Sequence, residues 1–319
     1  DGTVYASTSG GLLEFNQDTE QFTFIKMEDG LVYLDFSCIE IDKKGRLWLG
    51  GAYPRGYLQV YDPDIGLVSE ITHLDINNIT DIQIGEDVSF AVYESTSAGD
   101  IGILEFALDD EGLPIYNDYY SDFSNDIIIN DIRDLDLTER SLYITTNVGV
   151  LEGNFQDNNL KYNSSWETLI NNADIYQFIP DEGGFIVTDS LIFNYQDSEW
   201  VEYFDIFKFW PYCERPDSDG NYVECPSPKA DTFCSEYIYE NEDSNRDLGG
   251  CGQNIVQAEV NDGSVELLLT NWFLKINDND EYYSFEIPYS EYKNFRSKFT
   301  SLTKLHEKRI IGLDSYGFI

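Results

Sequence analysis

Leu142-Tyr143-Ile144-Thr145-Thr146-Asn147-Val148-Gly149-Val150-Leu151-Glu152 is a short apolar run, a small-polar patch and a second short apolar run. That order reads as a tight β-hairpin. The same text recurs at Val4–Phe15, Leu47–Asp62, Phe90–Phe106, Phe185–Phe193, Leu267–Ile276 and Ile310–Ile319. Aligned on Tyr5, Trp48, Phe90, Tyr143, Phe185, Leu267 and Ile310, the separations are 43, 42, 53, 42, 82 and 43 residues. A period near 42 with about four strands per repeat predicts an all-β fold: a seven-bladed β-propeller of four-stranded antiparallel blades.

Two further strands fit between most hairpins. They are read at Phe22–Met27 and Phe36–Asp42, Leu67–Thr72 and Ile79–Ile84, Leu113–Tyr120 and Ile129–Leu137, Trp166–Ile170 and Ile175–Pro180, and Tyr282–Ile287 and Phe299–Leu305. Turn residues separate them, as in Asp42-Lys43-Lys44-Gly45 and Asp181-Glu182-Gly183-Gly184. The first hairpin lacks the two strands that precede the others, so the first blade is incomplete. Because an open sheet edge invites pairing, residues 1–319 are expected to be one propeller cut from a longer polypeptide with further domains. The separation of 82 is read as an insertion, 211–253, within the sixth blade. It lies between a strand at Glu199–Trp210 and one at Ile255–Val260, is rich in Pro, Asp, Asn and Gly, and carries no strand alternation. Loops of that length are commonly functional.

The chain has 60 acidic and 19 basic residues, a net charge of −41. Such a surface repels phosphate backbones and anionic lipid headgroups, which argues against a nucleic-acid partner. No stretch reaches the ~20 apolar residues of a membrane helix, so no direct membrane insertion is expected. The high aromatic share, 15%, suits half-buried pleated strands.

Cys213, Cys225, Cys234 and Cys251 all fall in the insertion, with Cys38 alone in a strand. Four cysteines in a coreless loop read as two disulfides, of which 213–225 with 234–251 is the most local of three pairings. A zinc site would want a Cys-x-x-Cys pair or a nearby His, and neither is present. Cys38 reads as a small buried apolar residue. Asp217-Ser218-Asp219-Gly220-Asn221-Tyr222-Val223-Glu224 places oxygen ligands at alternate positions around a glycine, the pattern a hard cation needs. Asp217, Asp219, Asn221 and Glu224 are therefore candidate calcium ligands, against the reading of a solvated acidic turn.

Catalytic motifs are missing: there is no Gly-x-Ser-x-Gly, no phosphate-binding glycine loop and no His-Glu-x-x-His. His73 and His306 stand apart from any nucleophile motif. Tyr53, Tyr57, Tyr119, Tyr120 and Trp210 are candidates for stacking on sugar rings, although most aromatics must pack the blades.

The second repeat, Gly30-Leu31, then Ser37-Cys38-Ile39-Glu40-Ile41-Asp42-Lys43-Lys44-Gly45-Arg46-Leu47-Trp48-Leu49-Gly50-Gly51 and Tyr61-Asp62, carries the most specific text. It resembles the propeller repeat of two-component-regulator ectodomains. With Asp1–Asn16, Ile79–Phe106 and Ile129–Phe155, it is similar to the N-terminal propeller of PorZ-like surface proteins of type IX secretion. The 211–253 insertion departs from that pattern. The resemblance implies a scaffold or recognition surface and brings no catalytic residues. The expectation is thus a non-enzymatic secreted or cell-surface propeller that binds a protein or glycan partner in adhesion or envelope assembly. Two alternatives stand beside it: an extracellular polysaccharide lyase or glycoside hydrolase, and the sensing ectodomain of a regulator. A carboxylate cluster joined by a His or Tyr would favour the enzyme.

Overall fold

The computed structural model describes residues 3–16, 18–19, 21–72, 75–95, 101–123, 128–171, 173–180, 184–196, 199–205, 214–216, 222–224, 255–261, 264–269, 272–276, 282–286, 299–305, 308–313 and 317–318. These form antiparallel β-strands with two single-turn 3-10 segments, Met27–Asp29 and Asn163–Ser165, and no α-helix among the described residues. The chain divides into two units, Asp1–Pro180 and Asp181–Ile319.

In the first unit, β1 (Thr3–Thr8), β2 (Gly11–Asn16) and β3 (Gln21–Ile25) pair in that order. Three four-stranded meanders follow. The first is β4 (Phe36–Ile41), β5 (Leu47–Gly51), β6 (Tyr57–Asp62) and β7 (Gly66–Ile71). The second is β8 (Ile76–Ile84), β9 (Val88–Ser95), β10 (Ile101–Leu108) and β11 (Pro114–Tyr120). The third is β12 (Ile132–Leu137), β13 (Ser141–Thr146), β14 (Gly149–Asn154) and β15 (Trp166–Asn171), after which β16 (Gln177–Ile179) ends the unit.

In the second unit, β17 (Phe185–Val187), β18 (Leu191–Gln196) and β19 (Glu199–Asp205) pair in sequence. A small hairpin of β20 (Glu214–Pro216) and β21 (Tyr222–Glu224) comes next. A meander of β22 (Ile255–Asn261), β23 (Ser264–Leu269), β24 (Trp272–Ile276) and β25 (Tyr282–Glu286) follows, and then β26 (Phe299–Leu305), β27 (Lys308–Leu313) and β28 (Gly317–Phe318). The β20–β21 hairpin lies within 211–253, the stretch whose sequence carries no strand alternation. Each of its strands has three residues, too few for alternation to register in sequence.

One irregularity repeats. The first strand of each meander carries a β-bulge against the second, between Phe36 and Cys38, Ile79 and Asp81, Ile132 and Asp134, Ile255 and Gln257, and Phe299 and Ser301. The bulge gives an independent alignment. It confirms Trp48, Phe90, Tyr143 and Ile310 as equivalent positions, but places Glu266 rather than Leu267 in that column. The Leu267-Leu268-Leu269 run has no alternation, so the hydrophobic pattern alone cannot set its register.

Apolar side chains of the first unit fill the spaces between consecutive sheets. Leu12, Ile25, Leu47, Leu49 and Tyr57 lie between the first and second sheets. Trp48, Leu58, Ile79, Ile82, Leu104 and Phe106 lie between the second and third. Phe90, Val92, Ile103, Leu135, Ile144 and Trp166 lie between the third and fourth. Alternation explains the division: β5 sends Leu47 and Leu49 to one side and Trp48 to the other. Each fully buried Leu or Phe contributes roughly 1.5–3 kcal/mol by removal of its surface from water. Where β8 crosses β5, Gly50 leaves no room for a side chain: a Cβ there would lie 2.6 Å from both Cys38 Sγ and Ile79 Cγ2.

A polar clamp joins the second and third sheets. Arg46 is buried and ion-pairs with Asp42 at 2.6 Å, while its Nη1 and Nη2 donate to the Glu111 and Gly112 carbonyls at 3.0 and 2.7 Å. Asp42 Oδ1 in turn accepts from the Lys44 and Arg46 amides. This burial is tolerable because every face of the pair is hydrogen-bonded.

The small-polar patch of the hairpins also has a cause. Thr8 Oγ1 donates to the Gly11 carbonyl at 2.7 Å, Thr146 Oγ1 to Gly149 at 2.8 Å and Thr188 Oγ1 to Leu191 at 3.1 Å. Each hydroxyl also accepts from the amide two residues on, from Gly10, Val148 and Ser190. Gly149 sits at φ +146°, with Ile170 O only 2.0 Å from where a Cβ would stand. Thr146 is fully buried, so Thr146→Val, equal in shape, strands two backbone groups. Denaturant titration is expected to show a loss of about 1–3 kcal/mol, with a smaller loss for Thr8→Val at its half-buried turn.

Candidate functional site: carboxyls on the leading strands

The leading strands β4, β8, β12 and β16 follow one another in space within the first unit. Each pairs with its own sheet on one side only, so its other edge presents backbone N–H groups that need acceptors. The residue just after each bulge turns toward the next leading strand. It is Cys38 on β4, Asp81 on β8 and Asp134 on β12. Two residues on, the same face carries Glu40, Gln83 and Asp136.

These side chains cross to the neighbouring backbone. Cys38 Sγ donates to the Ile79 carbonyl at 3.5 Å. Asp81 Oδ1 accepts from its neighbour Ile82 N at 2.8 Å, and the carboxylate also accepts from Leu135 N on β12. Asp134 Oδ2 accepts from Phe178 N on β16 at 3.4 Å, and its carboxyl is hydrogen-bonded to Leu135 N and to the Asp136 carboxyl. All of these residues keep a little solvent contact, yet protein surrounds them closely enough to shift their titration.

Burial pushes Asp134 up to about 6, and its hydrogen bonds to Asp136, Phe178 N and Leu135 N pull the other way. Asp81 is pushed well above the usual carboxylate range, by burial first and by the Asp134 charge second. Burial also raises Glu40. The Cys38 thiol is raised by burial and then by Asp81, so it is held as the unreactive thiol. Among the described residues no Lys or Arg forms an ion pair with Asp81 or Asp134. Arg133, at the bulge of β12, turns instead to Asp131, Asp174 and the Ile175 carbonyl and lies 4.4 Å over the Tyr176 ring.

Chemically, carboxyls whose ionisation burial disfavours, such as Asp81 and Asp134, are of the kind used in general acid–base catalysis. Their oxygens are engaged with strand amides, and Tyr143, opposite Asp136 on β13, gives its hydroxyl to Glu152 at 3.1 Å. No group of three or more His, Cys, Asp or Glu side chains among the described residues is arranged to hold a metal ion.

The residues singled out from sequence fare unevenly. Cys213, Cys225, Cys234, Cys251, Asp217, Asp219, Asn221, His73, His306 and Trp210 lie outside the described residues, and of Glu224 only the backbone, in β21, is described. Cys38 is a free thiol, partly rather than fully buried, packed against the core between the second and third sheets. Tyr53 and Tyr119 are exposed at 73% and 52%. Tyr57 and Tyr120 are not available to a sugar. Tyr57 is buried between sheets with its hydroxyl on the Asp35 carbonyl, and Tyr120 is buried with its hydroxyl on Glu105. The Asp81–Asp134 row was missed because single acids in so acidic a chain stand out only once the bulges align them.

No family model and no curated protein sequence matches the chain. Similar solved structures exist at low identity. The extracellular domain of a hybrid two-component system from B. thetaiotaomicron is 15% identical with a TM-score of 0.51, over 99% of this chain and 38% of that one. PorZ, an essential bacterial surface component of the type-IX secretion system of Porphyromonas gingivalis, is 12% identical with a TM-score of 0.52, over 98% of this chain and 41% of that one. The AfRom2 CNH domain is 9% identical with a TM-score of 0.53, over 99% of this chain and 89% of that one. The chain thus spans about two-fifths of the first two proteins, and these likenesses are of fold alone. No helix among the described residues is long and apolar enough to cross a membrane.

Proposed function

We propose that the chain is a seven-bladed β-propeller that works as a non-enzymatic recognition domain at the cell surface, binding a protein or glycan of the envelope. The observation that carries this reading is the succession of antiparallel meanders, each opened by a bulged leading strand that packs on the next in the first unit. The fold likeness to two extracellular or surface proteins supports the location. The likeness to a two-component extracellular domain also supports a second reading, the sensing ectodomain of a regulator. The test is to expose the purified chain to envelope glycans and to immobilised envelope proteins. Saturable binding with no change in the glycans is expected. Release of new reducing ends or unsaturated sugar products would overturn the non-enzymatic reading in favour of the lyase or hydrolase.

The insertion is proposed as an added recognition element braced by two disulfides, Cys213–Cys225 and Cys234–Cys251. The β20–β21 ladder, with Pro216 opposite Tyr222, Arg215 opposite Val223 and Glu214 opposite Glu224, lies in sequence between Cys213 and Cys225. Mass spectrometry of a non-reducing digest should recover both linked peptides, and free thiols at these four positions would exclude them. Calcium is proposed at Asp217, Asp219, Asn221 and Glu224, whose oxygen side chains alternate along the sequence. Millimolar calcium should raise the melting temperature, EDTA should reverse the rise, and an unchanged melt would remove the ion.

A further inference from the structure

We propose that β3 (Gln21–Ile25), the outer strand of the first sheet, is a docking edge that takes an extended, basic polypeptide segment as an added strand. This gives the recognition domain a kind of partner, and it rests on the chain being such a domain. Among the described residues β3 pairs with β2 alone. Gln21, Phe22, Thr23 and Phe24 are exposed, the two phenylalanines at 55% each. The far edge of β3 therefore offers backbone N–H and C=O groups to solvent, the template on which a further strand forms.

Its composition sets β3 apart from the other outer strands. Glu70 on β7, Asp118 on β11, Glu167 on β15, Glu202 on β19 and Glu286 on β25 give each of those at least one acid. β3 reads Gln-Phe-Thr-Phe-Ile, with no charge and no proline, in a chain of 60 acids. Charge and proline are what edge strands use against pairing, and β3 has neither.

The exposed rings are already held in place. Phe22 lies opposite Phe15 of β2 with ring centroids 4.8 Å apart, and Phe24 lies opposite Leu13. The strand's period of two puts Phe22 and Phe24 on one face, while Leu12 and Ile25 pack toward the second sheet. An incoming strand would set apolar side chains against the two rings and small polar ones against Gln21 and Thr23.

Charge selects the occupant. Glu14 stands opposite Thr23, and the exposed Glu28 and Asp29 follow just beyond β3, against one cation, Lys26. A segment with Lys or Arg at its ends matches these acids, whereas a second copy of the chain brings another −41. Size agrees. Five residues of edge run about 17 Å, enough for one peptide strand but short of the ~1,200 Å² that stable pairs of globular proteins bury.

The test uses the 319-residue chain and a fluorescent synthetic peptide of alternating Val and Thr with Lys at both ends. Anisotropy should show saturable binding that weakens several-fold from low to high salt, and hydrogen exchange should slow at the β3 amides. Phe24→Lys, at a half-exposed position, puts a cation on the docking face and should weaken binding about tenfold with little change in melting temperature. Should that variant not fold, the same peptide with Glu in place of Lys decides on the unaltered chain: it should not bind, and equal binding would overturn the proposal. No binding at millimolar peptide, or binding that leaves exchange in β3 unchanged, overturns it as well. Protection of β3 that grows with protein concentration in the absence of peptide would overturn it in favour of a second copy. If every envelope protein bound by the unaltered chain binds Phe24→Lys equally, the docking edge falls and the recognition domain stands.

Discussion

A leading strand has a sheet on one side and nothing of its own on the other, and the rest of the first unit depends on how that open edge is satisfied. Where β8, β12 and β16 meet, outward amides find acceptors in protein side chains. The bulge supplies the means, by adding one residue that turns the next side chain toward the neighbouring strand. Asp81 takes the Leu135 amide and Asp134 takes the Phe178 amide, one step further along the chain each time. Cys38 does the corresponding work with a thiol and the Ile79 carbonyl. Successive sheets are thereby connected by directional bonds as well as by the non-directional burial of Trp48, Phe90 and Leu135.

A second polar layer holds the sheets at a different level. Arg46 spans from the β4–β5 turn to the carbonyls of Glu111 and Gly112 in the β10–β11 turn, with Asp42 compensating its charge. The two layers differ chemically: the Arg46 site pairs opposite charges, whereas at Asp81 and Asp134 burial disfavours the ionised carboxyl. A chain carrying −41 net charge already accepts self-repulsion as the condition of a highly solvated surface, and acids used as edge acceptors extend the same chemistry to its interior.

Much of this was legible beforehand. The hairpins at Val4, Leu47, Phe90, Leu142, Phe185, Leu267 and Ile310 were readable because a strand's period of two makes apolar alternation visible over five or six residues. The strands between them were readable to within a few residues for the same reason. The β20–β21 hairpin was not, because three-residue strands are too short to show a period. Glu266 was displaced by one position because three consecutive leucines carry no phase. Tyr57 and Tyr120 could not be told from exposed tyrosines, since an aromatic ring with a hydroxyl suits a wet surface and a hydrogen-bonded interior equally.

By itself, then, the sequence determined the strand content, the repeat, the antiparallel pairing of each hairpin and the acidic surface, all of which rest on local spacing and composition. Only the tertiary structure decided which acids are structural. Asp81 and Asp134 are 53 residues apart in a chain of 60 acids, and nothing local distinguishes them from solvated aspartates. They become members of one row because bulges, each set by pairing with a partner strand, aim each of them at an amide of the next leading strand. That long-range coincidence in space is what gives two ordinary side chains a structural place.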